Sequence, residues 1–158
     1  MKTRSNDVQI ITYDARYRVA FSELNRVWIE EVFEVEEMDR KQLEDPEGYI
    51  VQPGGEVLFL LEQGEVQGTC ALIRQNSAHC ELAKMAIRES AKGRGYGDVL
   101  MEAAIKQARL MGFKQMMLLS NTVLEPAINL YKKHGFKTIH LGPHPDYERA
   151  NIEMAIDL

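Results

Sequence analysis

Cysteine is scarce in this chain: Cys70 and Cys80 are the only two in 158 residues. That count excludes a disulfide framework and leaves no second pair for a zinc ribbon. Both are expected as buried free thiols in strands. Histidine is scarce too. Of the four, only His140 and His144 lie close together, with Asp146 beside them. Pro143 and Pro145 make that segment a turn, and the ligand set is too small to argue a metal site. His79 and His134 read as surface residues. Long apolar runs are missing, so no segment has the length to span a bilayer. The opening MKTRSNDVQI lacks the apolar core of a secretory signal, and a cytoplasmic location is the default expectation. Positive charge is in deficit: 19 Lys and Arg against 24 Asp and Glu give a formal net charge of -5. Without a basic stripe, nucleic acid is not an expected partner. Repeats, low-complexity tracts and linkers are absent as well, so one domain is expected over residues 1–158.

The composition is that of an ordinary globular domain, 45% hydrophobic and 27% charged. VQIITY reads as an opening strand. Asp14 can cap a helix from Ala15 to about Val32, with Phe21, Leu24, Val27 and Trp28 at helical spacing and Trp28 in the core. A short helix fits DRKQLED, with Asp39 as N-cap and Pro46 stopping it. QPGGE is a turn. EVLFLLEQGEVQGTCALIR reads as a hairpin about Gln63-Gly64. In HCELAKMAI, alternation places Glu81, Ala83, Met85 and Ile87 on one face. A helix from Gly97 to Met111 buries Leu100, Ala104, Ala108 and Met111 and ends at Gly112. KQMMLLS is short and apolar, a strand covered on both faces. Pro126 opens a last helix whose inward residues are Ala127, Leu130 and Tyr131, with Gly135 closing it. FKTIHL and NIEMAIDL are the final strands. The predicted order is β-α-α-β-β-β-α-β-α-β-β, an α/β domain with a mixed sheet.

Within this order, RESAKGRGYGDVLMEAA places Gly93, Gly95 and Gly97 immediately before a helix. Glycine is a poor helix former. Its usual benefit at a helix N-terminus is that backbone N–H groups can approach an anion closely. The nucleotide loop G-x-x-x-x-G-K-[ST] is absent. The dinucleotide fingerprint fails on spacing, and the next strand carries no acidic residue.

The remaining pattern resembles the GNAT superfamily of acetyl-CoA-dependent N-acetyltransferases. The stretch ELAKMAIRESAKGRGYGDVLMEAAIKQARLMGFKQMMLLSNTVLEPAINLYKKHGF, Glu81 to Phe136, looks like the central motifs of that family. Lys92, Gly95 and Gly97 match its loop positions, with Lys92 standing where the family has Arg or Gln. The resemblance implies acetyl-CoA as co-substrate and no metal. The loop Lys92, Gly93, Arg94, Gly95, Tyr96, Gly97 and Asp98 would surround the pyrophosphate, mostly through backbone N–H groups. Met85, Ala86 and Ile87 would pair with the pantetheine arm. Tyr131, in the LY pair before GF, would protonate the departing thiolate and contact the cofactor. Glu81 would be the base, directly or through water. Many members carry an asparagine seven positions before the tyrosine. Leu124 stands there, so Asn121 is the nearest cofactor candidate, with turn capping as its other role.

The acceptor implied is a primary amine of a small molecule, peptide or protein. The acidic run EEVFEVEEMD, Glu30 to Asp39, borders the acceptor side in the family. It is either an attractor for cationic amines or a solvated helix face. A non-catalytic acyl-CoA sensor is the alternative function, although a sensor needs neither Tyr131 nor Glu81. A homodimer is the assembly that analogy with similar folds suggests.

Overall fold

Seven strands form one sheet in the order β1-β2-β3-β4-β5-β7-β6. In chain order these are β1 (Val8–Ile11), α1 (Arg18–Val32), α2 (Glu37–Glu44), β2 (Glu56–Glu62), β3 (Glu65–Arg74), β4 (His79–Ile87), α3 (Tyr96–Leu110), β5 (Gln115–Ser120), α4 (Glu125–Lys133), β6 (Lys137–Leu141) and β7 (Ile152–Asp157). The computed structural model describes residues 8–145 and 148–158. The predicted element order holds throughout. Asp146 lies outside the described residues, so the His140, His144 and Asp146 set is not placed.

Two apolar layers cover the sheet. On one face, Leu58, Leu72, Leu82, Met116 and Leu118 pack against Leu100 and Met101 of α3 and Ile128 of α4. On the other, Val57, Phe59 and Ala71 pack against Phe21 of α1, Leu43 of α2 and Ile50. Met116, Met117 and Leu118 are all buried, as expected for a strand covered on both faces. The β2–β3 hairpin turns at Gln63 and Gly64, both at positive φ (53° and 82°), the geometry of a two-residue turn that follows sheet twist.

Helix α1 differs from its predicted phase. Asp14 caps a single 3-10 turn (Ala15–Tyr17) by accepting from the Arg16 N–H at 2.9 Å, and the α-helix starts at Arg18. Its buried residues are Phe21, Asn25 and Ile29. Val27 is exposed, and Trp28 is half-buried at a cleft instead of lying in the core. The polar Asn25 is tolerated because its amide donates to the Phe21 carbonyl and its oxygen accepts from the Trp28 indole.

Asp39 is not the N-cap of α2. Glu36 is, and Asp39 completes a reciprocal capping box by accepting from the Glu36 N–H at 3.0 Å. The helix does end before Pro46.

Strand β4 carries the feature that positions the site. Ala83 pairs with Ala71 and Ala86 with Thr69, so Lys84 and Met85 together oppose Cys70. This bulge flips the alternation. Glu81 and Ala83 do not share a face with Met85 and Ile87, which join the α3-side core. On its other side, β4 runs parallel to β5 only from His79 to Glu81. Beyond Glu81 the two strands part, and among the described residues no strand covers that edge of β4.

Candidate active site

The glycine loop starts where β4 ends. Arg88 ties it down by donating from its N–H to the Gln67 carbonyl at 2.7 Å and from Nε to Val66 at 3.0 Å. After a single 3-10 turn (Glu89–Ala91), Gly93 and Gly95 take φ of 82° and 84°. That region is unfavourable for residues with a Cβ. A Cβ at either position would meet nothing within 4 Å, so these two glycines serve conformation and open space. Gly97 serves packing: a Cβ there would stand 3.3 Å from the Leu130 side chain, where α3 meets α4.

Gly95 is the N-cap of α3, and no side chain caps that end. By position, the first N–H groups of the helix have no intrahelical acceptor. Gly95, Tyr96 and Gly97 at that end line a groove of about 300 Å³ whose walls also include Met85, Ile87, Lys92, Leu130 and Tyr131. The donor set and the open loop fit a pyrophosphate. The loop's own cations are turned elsewhere. Lys92 is exposed and pairs with Glu89 at 3.1 Å. Arg94 pairs with Glu62 at 2.7 Å and lies over the Tyr96 ring. Asp98 accepts from Lys133 at 2.9 Å and His134 at 2.7 Å, and these bonds hold its carboxyl below the ordinary range. His134 is therefore a largely buried link between α3 and α4, not a free surface residue.

A second cleft, of about 190 Å³, opens where β4 and β5 part. Glu81, Lys84, Ser120, Leu124 and Arg149 contribute to its walls. Trp28, Met85, Ala127 and Tyr131 line both clefts, so the two meet there. Ala127, Leu130 and Tyr131 are half-buried for that reason, and Ile128 is the residue of α4 in the core.

Burial pushes the Tyr131 phenol up to about 12, with the Cys70 sulfur adding to the effect, so the phenol keeps its proton. Burial also pushes the Glu81 carboxyl up, to about 7, against the opposing pull of the Lys84 ammonium. A buried phenol and a carboxyl poised near neutrality are suited to giving and taking protons. Asn121 sits in the second cleft, away from the glycine-loop groove. Its amide donates to the Arg149 carbonyl at 2.6 Å and its oxygen accepts from the Val123 N–H at 2.9 Å.

Sequence reasoning missed three charged residues here. Asp39 is fully buried and accepts from Lys84 Nζ at 2.6 Å and from Arg149 through both ends of its guanidinium. Burial opposes the Asp39 charge, but the Arg149 and Lys84 contacts win and hold its carboxyl at about 2. One signal was available: a lysine inside the apolar strand ELAKMAI.

Glu34, Glu36, Glu37 and Glu148 line an outer groove next to this cleft. Glu36 caps α2 and reaches Arg149 at 3.4 Å, and Glu37 pairs with Arg40. Much of the acidic run is thus already engaged within the fold.

Residues 18–136 match the model of the acetyltransferase (GNAT) family, so the chain belongs to that family. It is 37% identical over 91 residues to an uncharacterized N-acetyltransferase, YjgM, of Escherichia coli K12, covering 56% of this chain and 54% of that one. The chain spans about half the length of the curated relatives it matches. Among solved structures, it superposes on a GNAT-family acetyltransferase of Staphylococcus aureus Mu50 with a TM-score of 0.84 at 20% identity, covering 96% and 99% of the two chains. A GNAT-family acetyltransferase of Elizabethkingia anophelis with acetyl-CoA bound gives 0.73 at 16%, covering 97% and 99%. These likenesses establish the fold. Among the described residues, no helix is long and apolar enough to cross a membrane.

Proposed function

We propose that the chain transfers the acetyl group of acetyl-CoA to a primary amine. The observation that carries this reading is the meeting of two clefts at Tyr131. One is walled by uncapped N–H donors, the other by a carboxyl poised near neutrality.

The N–H groups of Gly93 to Asp98 would hold the pyrophosphate. The bare edge of β4, Met85 to Ile87, offers backbone groups to the peptide-like pantetheine arm, as an added strand would use them. Acetyl-CoA supplies the thioester, and the acceptor enters the second cleft. Glu81 accepts a proton from the ammonium form of the acceptor, directly or through water. The neutral amine then attacks the acetyl carbon. The new C–N bond forms, the C–S bond breaks, and Tyr131 gives its proton to the leaving sulfur. The nitrogen's surplus proton leaves as the amide forms and passes through solvent to the Tyr131 phenolate, and Glu81 releases its own proton to solvent. A sensor would need neither residue, and both line the acceptor cleft.

The test is calorimetric titration of acetyl-CoA into the wild type and Gly95→Glu, followed by thiol-release assays over a panel of amines. Binding lost in the variant, with thiol release dependent on an amine, supports the reading. Binding without turnover of any amine would favour the sensor. No binding to the wild type would defeat both.

A further inference from the structure

Lys84 is buried, and its backbone sits at φ 54°, in the left-handed region that a side chain disfavours. Such strain persists only where the surroundings enforce it. Simple alternation along β4 would send this ammonium into the apolar layer with Cys80 and Leu82. The bulge turns it instead to the side of Glu81 and Ala83, where Asp39 of α2 meets it at 2.6 Å. Buried ion pairs are weak sources of stability, because desolvation offsets most of the attraction. Stability is thus a poor explanation for the arrangement.

Glu81 and Lys84 line the same cleft. Around Glu81 stand Lys84 from β4, Arg149 from the segment before β7, Glu153 from β7 and Asp39 from α2. Tyr131 of α4 lines the cleft as well, and Glu36 at the α2 N-terminus braces Arg149. Building on the acetyl-transfer reading above, we propose that Lys84 is a positioning residue: aimed by the β4 bulge and braced by Asp39, its ammonium is the fixed charge that sustains the Glu81 carboxylate in the acceptor cleft. Burial alone drives a carboxyl towards its neutral form, and a neutral acid cannot accept the acceptor's proton. Lys84 is the largest influence opposing that burial. Burial draws the Lys84 ammonium below its ordinary range, and the Asp39 carboxylate is the main contact that opposes this and favours the charged form.

The experiment follows the Glu81 side-chain carboxyl directly. Carbon-13 NMR titration of glutamate-labelled protein, assigned with Glu81→Gln, gives its midpoint in the wild type, Lys84→Met and Lys84→Arg. The midpoint should rise by about one pH unit in Lys84→Met and return in Lys84→Arg. The acid limb of kcat/KM should move with it, a loss of about tenfold on the acid side. A folded Lys84→Met with an unchanged midpoint overturns the inference. If that variant fails to fold, the double variant Asp39→Asn/Lys84→Met removes both charges of the Lys84–Asp39 pair, leaves Arg149 its contact with Glu36, and is titrated in its place. The rise should then be smaller but present, and its absence overturns the inference. A shifted midpoint together with an unaltered pH profile in Glu81→Gln would remove Glu81 from the reaction. It would overturn the base role and leave the Lys84–Glu81 link standing.

Discussion

Tyr131 and Glu81 have both been pushed upwards by burial, yet the consequences are opposite in use. A phenol near 12 holds its proton at any working pH, so it is ready to donate. Tyr131→Phe removes only the hydroxyl that carries that proton, and kcat should fall by about 10²-fold or more while acetyl-CoA affinity in calorimetry changes little. Lost affinity with unchanged kcat would assign Tyr131 to binding. A carboxyl near 7 is a base only above that value. kcat/KM should therefore fall as pH drops through about 7, and Glu81→Gln should abolish that limb. Stability has the reverse sign for this group. Between the ordinary 4.5 and about 7 the folded state holds a proton that the unfolded chain has released, so this contribution weakens as pH rises across that window. Asp39 acts in the other direction. Its stabilisation is complete above 3.8 and is lost as pH falls through about 2. Asp39→Ala removes the buried carboxylate that Lys84 and Arg149 share and should cost about 3–5 kcal/mol in denaturant unfolding. At this scale Tyr131, Glu81 and the glycines were legible, because they sit in a local motif. Asp39, Lys84 and Arg149 were not. Their contacts span 45 and 110 positions, and no local spacing encodes them.

Elements were legible where a single local signal decides them, and less so where two signals compete. The Gln63-Gly64 turn and the Pro46 stop follow from backbone preferences of one or two residues. Helix α1 was misphased because Val27 and Trp28 look like core residues, although Asn25 takes a buried place through its own hydrogen bonds. The β4 bulge was invisible because the strand still alternates on either side of it. The glycine loop separates the two uses of glycine experimentally. Gly95→Ala places a Cβ at φ 84° and should destabilise by about 1–2 kcal/mol. Gly97→Ala stands at an ordinary φ inside α3 and meets only the flexible end of Leu130. There, a gain in helix propensity of up to about 1 kcal/mol offsets the contact. Thermal unfolding should thus show a lower Tm for Gly95→Ala, by roughly 2–8 °C, and a nearly unchanged one for Gly97→Ala. Equal losses in both would mean that close packing governs the whole loop.

At the scale of the molecule, the sheet holds together across β4 and β5 through only three residue pairs, His79 to Glu81 with Gln115 to Met117. Helices α1 and α2 cover one face and α3 and α4 the other, and both clefts are lined by β4 residues at or beyond the point where the strands part. A long ligand with its pyrophosphate on α3 and its arm along β4 would complete the interrupted sheet. It would therefore bind the folded state and stabilise it as a whole, by about 2.7 kcal/mol at a hundredfold excess over Kd. Global linkage alone would slow exchange everywhere. Pairing along the bare edge of β4 adds a local effect: amides from Leu82 to Ile87 that face the gap, and those from Gly93 to Asp98, should gain protection beyond the global increment. Strand β6 supplies the control. It is an exposed edge at the far end of the sheet, remote from both clefts, and should gain none locally. Hydrogen exchange with and without acetyl-CoA reads all three segments at once. Protection of the glycine loop without β4 would confine the interaction to the phosphates and remove the strand-like seat of the arm. Protection of both would place the thioester end of the arm beside Tyr131, where the two clefts meet.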